Sequence, residues 1–248
     1  MTAALTITGV TVRQVLGIKR LVGFGLLSLF PAFIFMVSSG NQSGNALLES
    51  FIGIGVGLLY FVAVPVVTLI LSASALGDER RDQTLSFIAL RPIRRSAIAA
   101  SKLTAAVTAA FVFTGAGALA MSVAYGIRSS DWNYVIPMLA SAAVATIVYA
   151  AVFVPLGYLS ERSTLIGLAY VFIWEGAIVS AIGTLANTSP WRIGFTAFLA
   201  LAPEEAQFVE ADLGIADPRL GPTLITVAVF VALSLVVTTW ILRKRDLV

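Results

Sequence analysis

The 248-residue sequence contains no histidine and no cysteine, and charged residues make up only 12% of it. The first two absences exclude Ser-His and Cys-His nucleophilic sites, HExxH zinc sites and disulfide frameworks. None of the lysines, Lys19, Lys102 and Lys244, completes a GxxxxGK phosphate-binding loop. If ATP drives this protein, it must therefore bind to another chain.

The shortage of charge indicates that lipid is the solvent for much of the chain. A soluble domain has about 25% charged and about 45–50% apolar residues. This chain is 58% hydrophobic and has a mean hydropathy of +0.95. Its polar groups are too few to cover the surface of a soluble fold. We therefore predict an integral membrane protein.

Six apolar stretches have the roughly 17–25 residues that a helix needs to cross a bilayer. The expected fold is an all-α polytopic membrane domain over the whole chain, 1–248. The first stretch has the flanks of a signal peptide, but its apolar run is longer than the usual 7–15 or so residues, so we interpret it as a retained span. The six stretches are residues 21–37, 51–73, 103–125, 135–158, 164–186 and 222–242.

Six spans place both termini on one side of the membrane, and the basic residues indicate which side. Of the 16 Lys and Arg residues, only Arg128, Arg192 and Arg219 fall on the side opposite the termini. The positive-inside rule then predicts that both termini are cytoplasmic, N-in and C-in. This topology accounts for the pI of about 9.4, so we expect membrane lipid as a partner and no nucleic acid.

Three segments outside the spans are informative. Residues 1–20 have basic and apolar positions on opposite helical faces, which is typical of a cytoplasmic interfacial helix. Residues 187–221 form an external loop, in which Ser189-Pro190 begins a short re-entrant or interfacial helix; a simple exposed loop is the alternative. Residues 75–96 form a cytoplasmic loop with charges at both ends and an apolar middle.

The middle of the 75–96 loop has the spacing of a short amphipathic helix. Leu85, Ile88 and Ala89 share one helical face, and Pro92 ends the helix. Such a face must be buried either against its own bundle or against a partner protein, and periodicity alone favours neither.

The order of residues around this loop resembles the cytoplasmic signature of type-2 ATP-binding-cassette (ABC) export permeases. That signature reads Glu-Arg-x-x-Gly-Thr-Leu, then a Leu-rich turn, Pro, a basic residue three positions on and Lys seven positions later. Gln83 and Ser101 depart from it, since the family often has glycine at both positions. The matching residues are Glu79, Arg80, Thr84, Leu85, Leu90, Pro92, Arg95 and Lys102.

The resemblance implies a permease subunit that pairs with a second permease subunit, the same or homologous, and with two copies of an ABC ATP-binding subunit. No cofactor is expected on this chain, and ATP and Mg²⁺ are expected on the ATPase, so the chain itself is not an enzyme. The implied activity is export of a hydrophobic or amphipathic molecule, such as a lipid, a drug or an antibiotic, across the plasma membrane of a prokaryote. The predicted ATPase-coupling residues are Glu79, Arg80, Arg81, Thr84, Leu85, Phe87, Ile88, Leu90, Pro92, Arg94, Arg95 and Lys102.

Features inside the spans give a second candidate site. A charge at the depth of Glu175 is costly unless it faces a cavity or a partner, so we predict that Glu175, Phe172 and Trp174 line the substrate pathway. Two alternatives remain open: a neutral carboxyl group that only packs, or the coupling acid of an ion-driven transporter without an ATPase. Gly53 and Gly57 are predicted to allow close helix packing, within the subunit or across a dimer.

Overall fold

The structure is a computed structural model that describes residues 8–12, 17–81, 94–160, 162–179, 188–202 and 218–244, apart from the side chain of Lys19. Within these ranges the chain is helical and contains no strand, which confirms the all-α prediction. The helices are α1 (Ile18–Ser38), α2 (Asn45–Arg81), α3 (Arg95–Ser129), α4 (Val135–Leu159), α5 (Ser163–Ile178), α6 (Pro190–Leu201) and α7 (Leu220–Lys244).

Five of these helices, α1, α2, α3, α4 and α7, are long and apolar enough to cross a membrane. In the fifth predicted span, 164–186, the helix α5 is shorter, and residues 180–186 lie outside the described part of the chain. These apolar helices support a multi-pass membrane protein.

The helices α2 and α3 extend well beyond the predicted spans 51–73 and 103–125. Residues 75–81 continue α2, although they were predicted as part of the 75–96 loop, and α3 begins at Arg95. The apolar length of a span measures the hydrocarbon thickness and not the helix. Here Leu76 and Ile98 are buried in one cluster beyond the predicted span ends, so both helices continue past the apolar stretch.

The predicted interfacial helix over residues 1–20 is interrupted. Residues 8–12 are helical, but Gly17 is extended (φ −69°, ψ 150°), so Ile18 and Arg20 belong to α1. Residues 1–7 and 13–16 lie outside the described part of the chain.

Some helices start and others end at the same end of the bundle, and this brings charged residues together there. A salt bridge of 3.6 Å joins Arg20, near the start of α1, to Asp78, near the end of α2. At the other end Arg128 of α3 donates a hydrogen bond of 3.0 Å to the carbonyl oxygen of Met36 in α1. We call the end with Arg20 and Asp78 the basic end; the starts of α1 and α3 and the ends of α2, α4 and α7 lie there.

The central helix is α4, which contacts α2, α3, α5, α6 and α7. A side chain at Gly157 would overlap the backbone of Ala73, so glycine is what lets α4 cross α2 this closely. By contrast, a Cβ built on Gly53 or Gly57 meets no described atom of another helix within 4 Å. The described part of the subunit therefore shows no close helix contact at these two glycines, and close packing at them, within the subunit or across a dimer, stays a prediction.

Two segments of the bundle are π-helical, Gly55–Ala63 in α2 and Tyr170–Ile178 in α5. The side chain of Phe61 connects them, with ring centroids 6.1 Å from Phe172 and 6.4 Å from Trp191 of α6. Such segments are rare and occur often at functional sites. The second of them carries Glu175.

The short helix α6 packs into the bundle at the end opposite the basic end. Phe195, Phe198 and Leu199 are buried, and α6 makes extensive contact with α4. The helix starts at Pro190, as Ser189-Pro190 predicted. The side chain of Ser189 makes no capping hydrogen bond, however, because its hydroxyl bonds to Glu175 instead.

Candidate functional site

A buried ion pair joins α2 to α3 at the basic end. Lys102 Nζ donates to Glu79 Oε1 and, at 2.9 Å, to the hydroxyl oxygen of Thr11. Lys102 is fully buried, and Glu79 and Thr11 are nearly so. A buried ammonium is tolerated only when it is paired and hydrogen-bonded, and this one has both an anion and a hydroxyl. We call Thr11, Glu79 and Lys102 the basic-end junction.

The junction ties three elements together. Glu79 lies two residues before the end of α2, and Lys102 lies two turns into α3, so the pair locks the two helices that flank residues 82–93. Thr11 brings in residues 8–12, and Thr8 adds a 3.3 Å hydrogen bond to the carbonyl oxygen of Ser101. The junction therefore holds α2, α3 and the N-terminal segment together.

A second group of contacts surrounds Arg80. One of its guanidinium nitrogens donates to the carbonyl oxygen of Tyr158 at 2.6 Å, and the guanidinium carbon lies 5.5 Å from the centre of the Tyr158 ring. Arg80 thereby connects the end of α2 to the end of α4. Its neighbour Arg81 is exposed, and one of its guanidinium nitrogens lies 3.9 Å from a carboxylate oxygen of Asp78.

Deep in the bundle, the carboxylate of Glu175 is held by two hydroxyl groups. Tyr149 donates to Oε2 and Ser189 donates to Oε1, each at 2.6 Å. Glu175 and Ser189 have no exposed surface, and neither has Tyr149. The three residues, which we call the Glu175 cluster, connect α5 to the middle of α4 and to the start of α6.

A comparison with protein families decides what kind of protein this is. Residues 18–185 match the family described as "ABC-2 family transporter protein", and this range includes Glu79, Lys102, Tyr149 and Glu175. The chain belongs to the ABC-2 transporter family. It is a membrane permease of the ABC-2 type, a kind of transport subunit that typically works with ATP-binding subunits. A comparison with curated proteins finds no match.

Half of the predicted ATPase-coupling residues of this permease lie outside the described part of the chain: Thr84, Leu85, Phe87, Ile88, Leu90 and Pro92. The others do not form one surface. Glu79 and Lys102 are turned into the junction, and Arg80 reaches Tyr158. Arg81 and Arg94 are exposed, and Arg95 is half-buried. A docking role fits the exposed arginines better than Glu79 and Lys102, whose side chains hold the permease together.

The structure does not bring the three predicted substrate-pathway residues of the permease together. Glu175 faces the interior, whereas Phe172 is on the outside of the bundle and 48% exposed, and Trp174 is half-buried. The π-helical turn places these neighbours on different faces. Phe172 instead packs edge-to-face on Phe61.

Arg192 is the functional candidate that sequence reasoning missed. It was counted as an external residue, yet it is only 5% exposed and lies over the Trp191 ring, 5.3 Å from its centre. Burial lowers the pKa of the Arg192 guanidinium, and the negative charge of Glu175 opposes that shift. Glu175 therefore has a basic residue within electrostatic reach. A capping signal at Ser189 was the only sequence hint that α6 begins beside Glu175.

Proposed function

We propose that this ABC-2 permease is the membrane subunit of an exporter that couples ATP hydrolysis in a separate subunit to transport. In the proposed assembly it pairs with a second permease subunit, the same or homologous, and each permease docks one of two ATP-binding subunits. The substrate is a hydrophobic or amphipathic molecule of the lipid, drug or antibiotic type. ATP and Mg²⁺ are bound by the partner ATPase.

The observation that carries this proposal is the basic-end junction beside residues 82–93. In the proposed mechanism the ATPase docks on the apolar face of this loop through Leu85, Phe87 and Ile88. Closure of the ATPase pair then shifts the permease between inward- and outward-facing states, because the ATPase binds the two states with different affinity. The Glu79–Lys102 pair makes α2 and α3 move together when the loop is displaced.

The docking step is tested by co-purification in a mild detergent. We expect an ATP-hydrolysing subunit to copurify with the native permease and with a Leu85→Met, Ile88→Val control, which keeps the apolar face. It is expected to be lost with Leu85→Glu, Ile88→Glu, because two carboxylates cannot be buried in an apolar contact. Absence of any ATPase with the native chain would contradict the proposal. Transport by the permease alone, driven by a proton or sodium gradient and lost in Glu175→Ala, would then establish the ion-coupled alternative.

We further propose six spans with both termini in the cytoplasm of a prokaryote. The grouping of Arg20, Arg80, Arg94 and Lys244 near one end of the bundle supports this orientation through the positive-inside rule. Because the chain has no cysteine, single cysteines report the topology directly. In intact cells a membrane-impermeant maleimide is expected to label Gln42→Cys at once, and Arg94→Cys only after permeabilisation. The reverse labelling would invert the topology.

A further inference from the structure

A polar cavity of about 360 Å³ opens at the basic end, where α2, α4 and α5 meet. It is separate from the basic-end junction and from the Glu175 cluster, none of whose residues lines it. Among the described residues, the lining includes two arginines, one aspartate and several serines and threonines: Ser74, Asp78, Arg80, Arg81, Ser160, Ser163 and Thr164.

The charge of these walls favours an anion. The carboxylate of Asp78 lies 3.6 Å from a guanidinium nitrogen of Arg20 and 3.9 Å from one of Arg81. Among the described residues at this cavity, arginines therefore outnumber carboxylates. Arg80 uses one nitrogen for the Tyr158 carbonyl oxygen, and a guanidinium has five N–H donors in total. Two guanidinium groups beside serine and threonine hydroxyls are the donors that phosphate oxygens accept from best.

We propose that this cavity binds a phosphate group, and that this phosphate belongs to the headgroup of an anionic phospholipid. The cavity lies where the long apolar helices α2 and α4 end, which is the level of lipid headgroups. Apolar side chains directly next to its lining residues are exposed: Leu159 precedes Ser160, and Leu165 and Ile166 follow Thr164. A lipid places its phosphate among the arginines and its acyl chains along these side chains, whereas a free phosphate uses only the polar half.

Because of the position of the cavity, a lipid bound there affects the end of α2. Arg80 and Arg81 are the last residues of α2 before residues 82–93. A phosphate bound to both guanidinium groups stabilises the end of α2 and neutralises charge next to the proposed docking loop. The lipid is thus a ligand of the permease itself, independent of whether an ATPase docks.

The test uses the purified full-length permease alone, so that its failure is distinguishable from failure of the proposed ATPase coupling. Native mass spectrometry in detergent counts bound phosphatidylglycerol against phosphatidylcholine, and thermal unfolding gives the concentration dependence. A parallel titration uses inorganic phosphate without lipid. The variants are Arg80→Gln and Arg81→Gln, with Thr164→Glu to place a carboxylate in the cavity without touching an arginine. The matched control is Arg243→Gln, which removes an exposed charge at the same end of the bundle.

We expect saturable binding of phosphatidylglycerol that is about fivefold weaker for each cavity arginine removed, since a basic group near a lipid surface contributes about 1 kcal/mol. Thr164→Glu is expected to weaken it as well, and Arg243→Gln to leave it unchanged. If inorganic phosphate stabilises the permease as much as the lipid does, with the same dependence on Arg80 and Arg81, the cavity is a phosphate site whose ligand is a free anion. The lipid part of the proposal is then wrong. Equal binding of both lipids, or binding unaffected by Arg80→Gln, Arg81→Gln and Thr164→Glu, overturns the proposal.

Discussion

Glu79 and Glu175 are the two buried acidic side chains in the described part of this permease, and their surroundings differ. Glu79 is paired with a full opposite charge on Lys102, whereas Glu175 accepts hydrogen bonds from two neutral hydroxyl groups. An ion pair away from water depends on both partners, because loss of one leaves an uncompensated charge. A carboxylate that accepts hydrogen bonds from hydroxyl groups can be replaced by a neutral acceptor of similar shape, because the hydroxyl groups then keep a partner.

This difference separates what the two carboxyl groups do in the fold. The basic-end junction connects consecutive helices next to the proposed docking loop, and the Glu175 cluster connects α4 and α5 to the short helix α6. The charge-paired junction holds α2 and α3 together, as the proposed coupling requires.

The largest effect is expected from breaking the junction. Glu79→Ala or Lys102→Met should lower the free energy of unfolding by about 3–5 kcal/mol, because either change leaves a buried charge alone. The double variant Glu79→Ala, Lys102→Met should recover most of this loss, since no charge remains. Thermal unfolding of the purified permease measures all three, with Glu49→Ala, an exposed site in the same helix, as control. Additive losses in the double variant would contradict the ion pair.

A smaller effect is expected at Glu175. Glu175→Ala should cost about 1–3 kcal/mol, because the hydroxyl groups of Tyr149 and Ser189 lose their acceptor. Glu175→Gln should cost less than about 1 kcal/mol, since its amide accepts from one hydroxyl and donates to the other. The same unfolding assay compares them. If the glutamine variant is as unstable as the alanine variant, the charge of Glu175 matters, and Arg192 becomes the partner to examine.

The smallest effect is expected at Thr11. Thr11→Val removes one hydrogen bond from Lys102 but leaves Glu79 in place, so the loss should be about 1 kcal/mol. Thr11→Ser keeps the hydroxyl and serves as the control, with a smaller change. A loss from Thr11→Val as large as that from Glu79→Ala would show that Thr11, and not the ion pair, holds the junction.

Much of the fold was accessible from sequence because it depends on local properties. Apolar length and the period of the helix predicted where α4 and α7 lie, within a few residues of Val135–Leu159 and Leu220–Lys244. The same criterion underestimated α2 and α3, whose ends are held by packing and by the junction. Ser189-Pro190 predicted the start of α6 correctly and the use of its hydroxyl group wrongly, since the competing acceptor lies on another helix.

The candidate sites were accessible only in part, for a physical reason. Glu79, Lys102 and Glu175 stood out because charge is scarce in this sequence, and an isolated charge near or within a span needs a partner. The partners did not stand out. Thr11 lies 91 positions from Lys102 in the sequence, and Tyr149 lies 26 positions from Glu175. Arg192 lies 17 positions from Glu175. No spacing rule connects residues on different helices.

The sequence by itself indicated that lipid is the solvent and that the chain is helical, because both properties follow from composition and from the period of apolar residues. It also showed, between Glu79 and Lys102, a resemblance to the signature of ABC-2 permeases. Only the tertiary structure decided that Glu79 and Lys102 face each other, that Phe172 faces away from Glu175 and that Arg80 lines a polar cavity. Those outcomes depend on how helices are rotated and shifted against one another, which is set by close contacts such as Gly157 on Ala73.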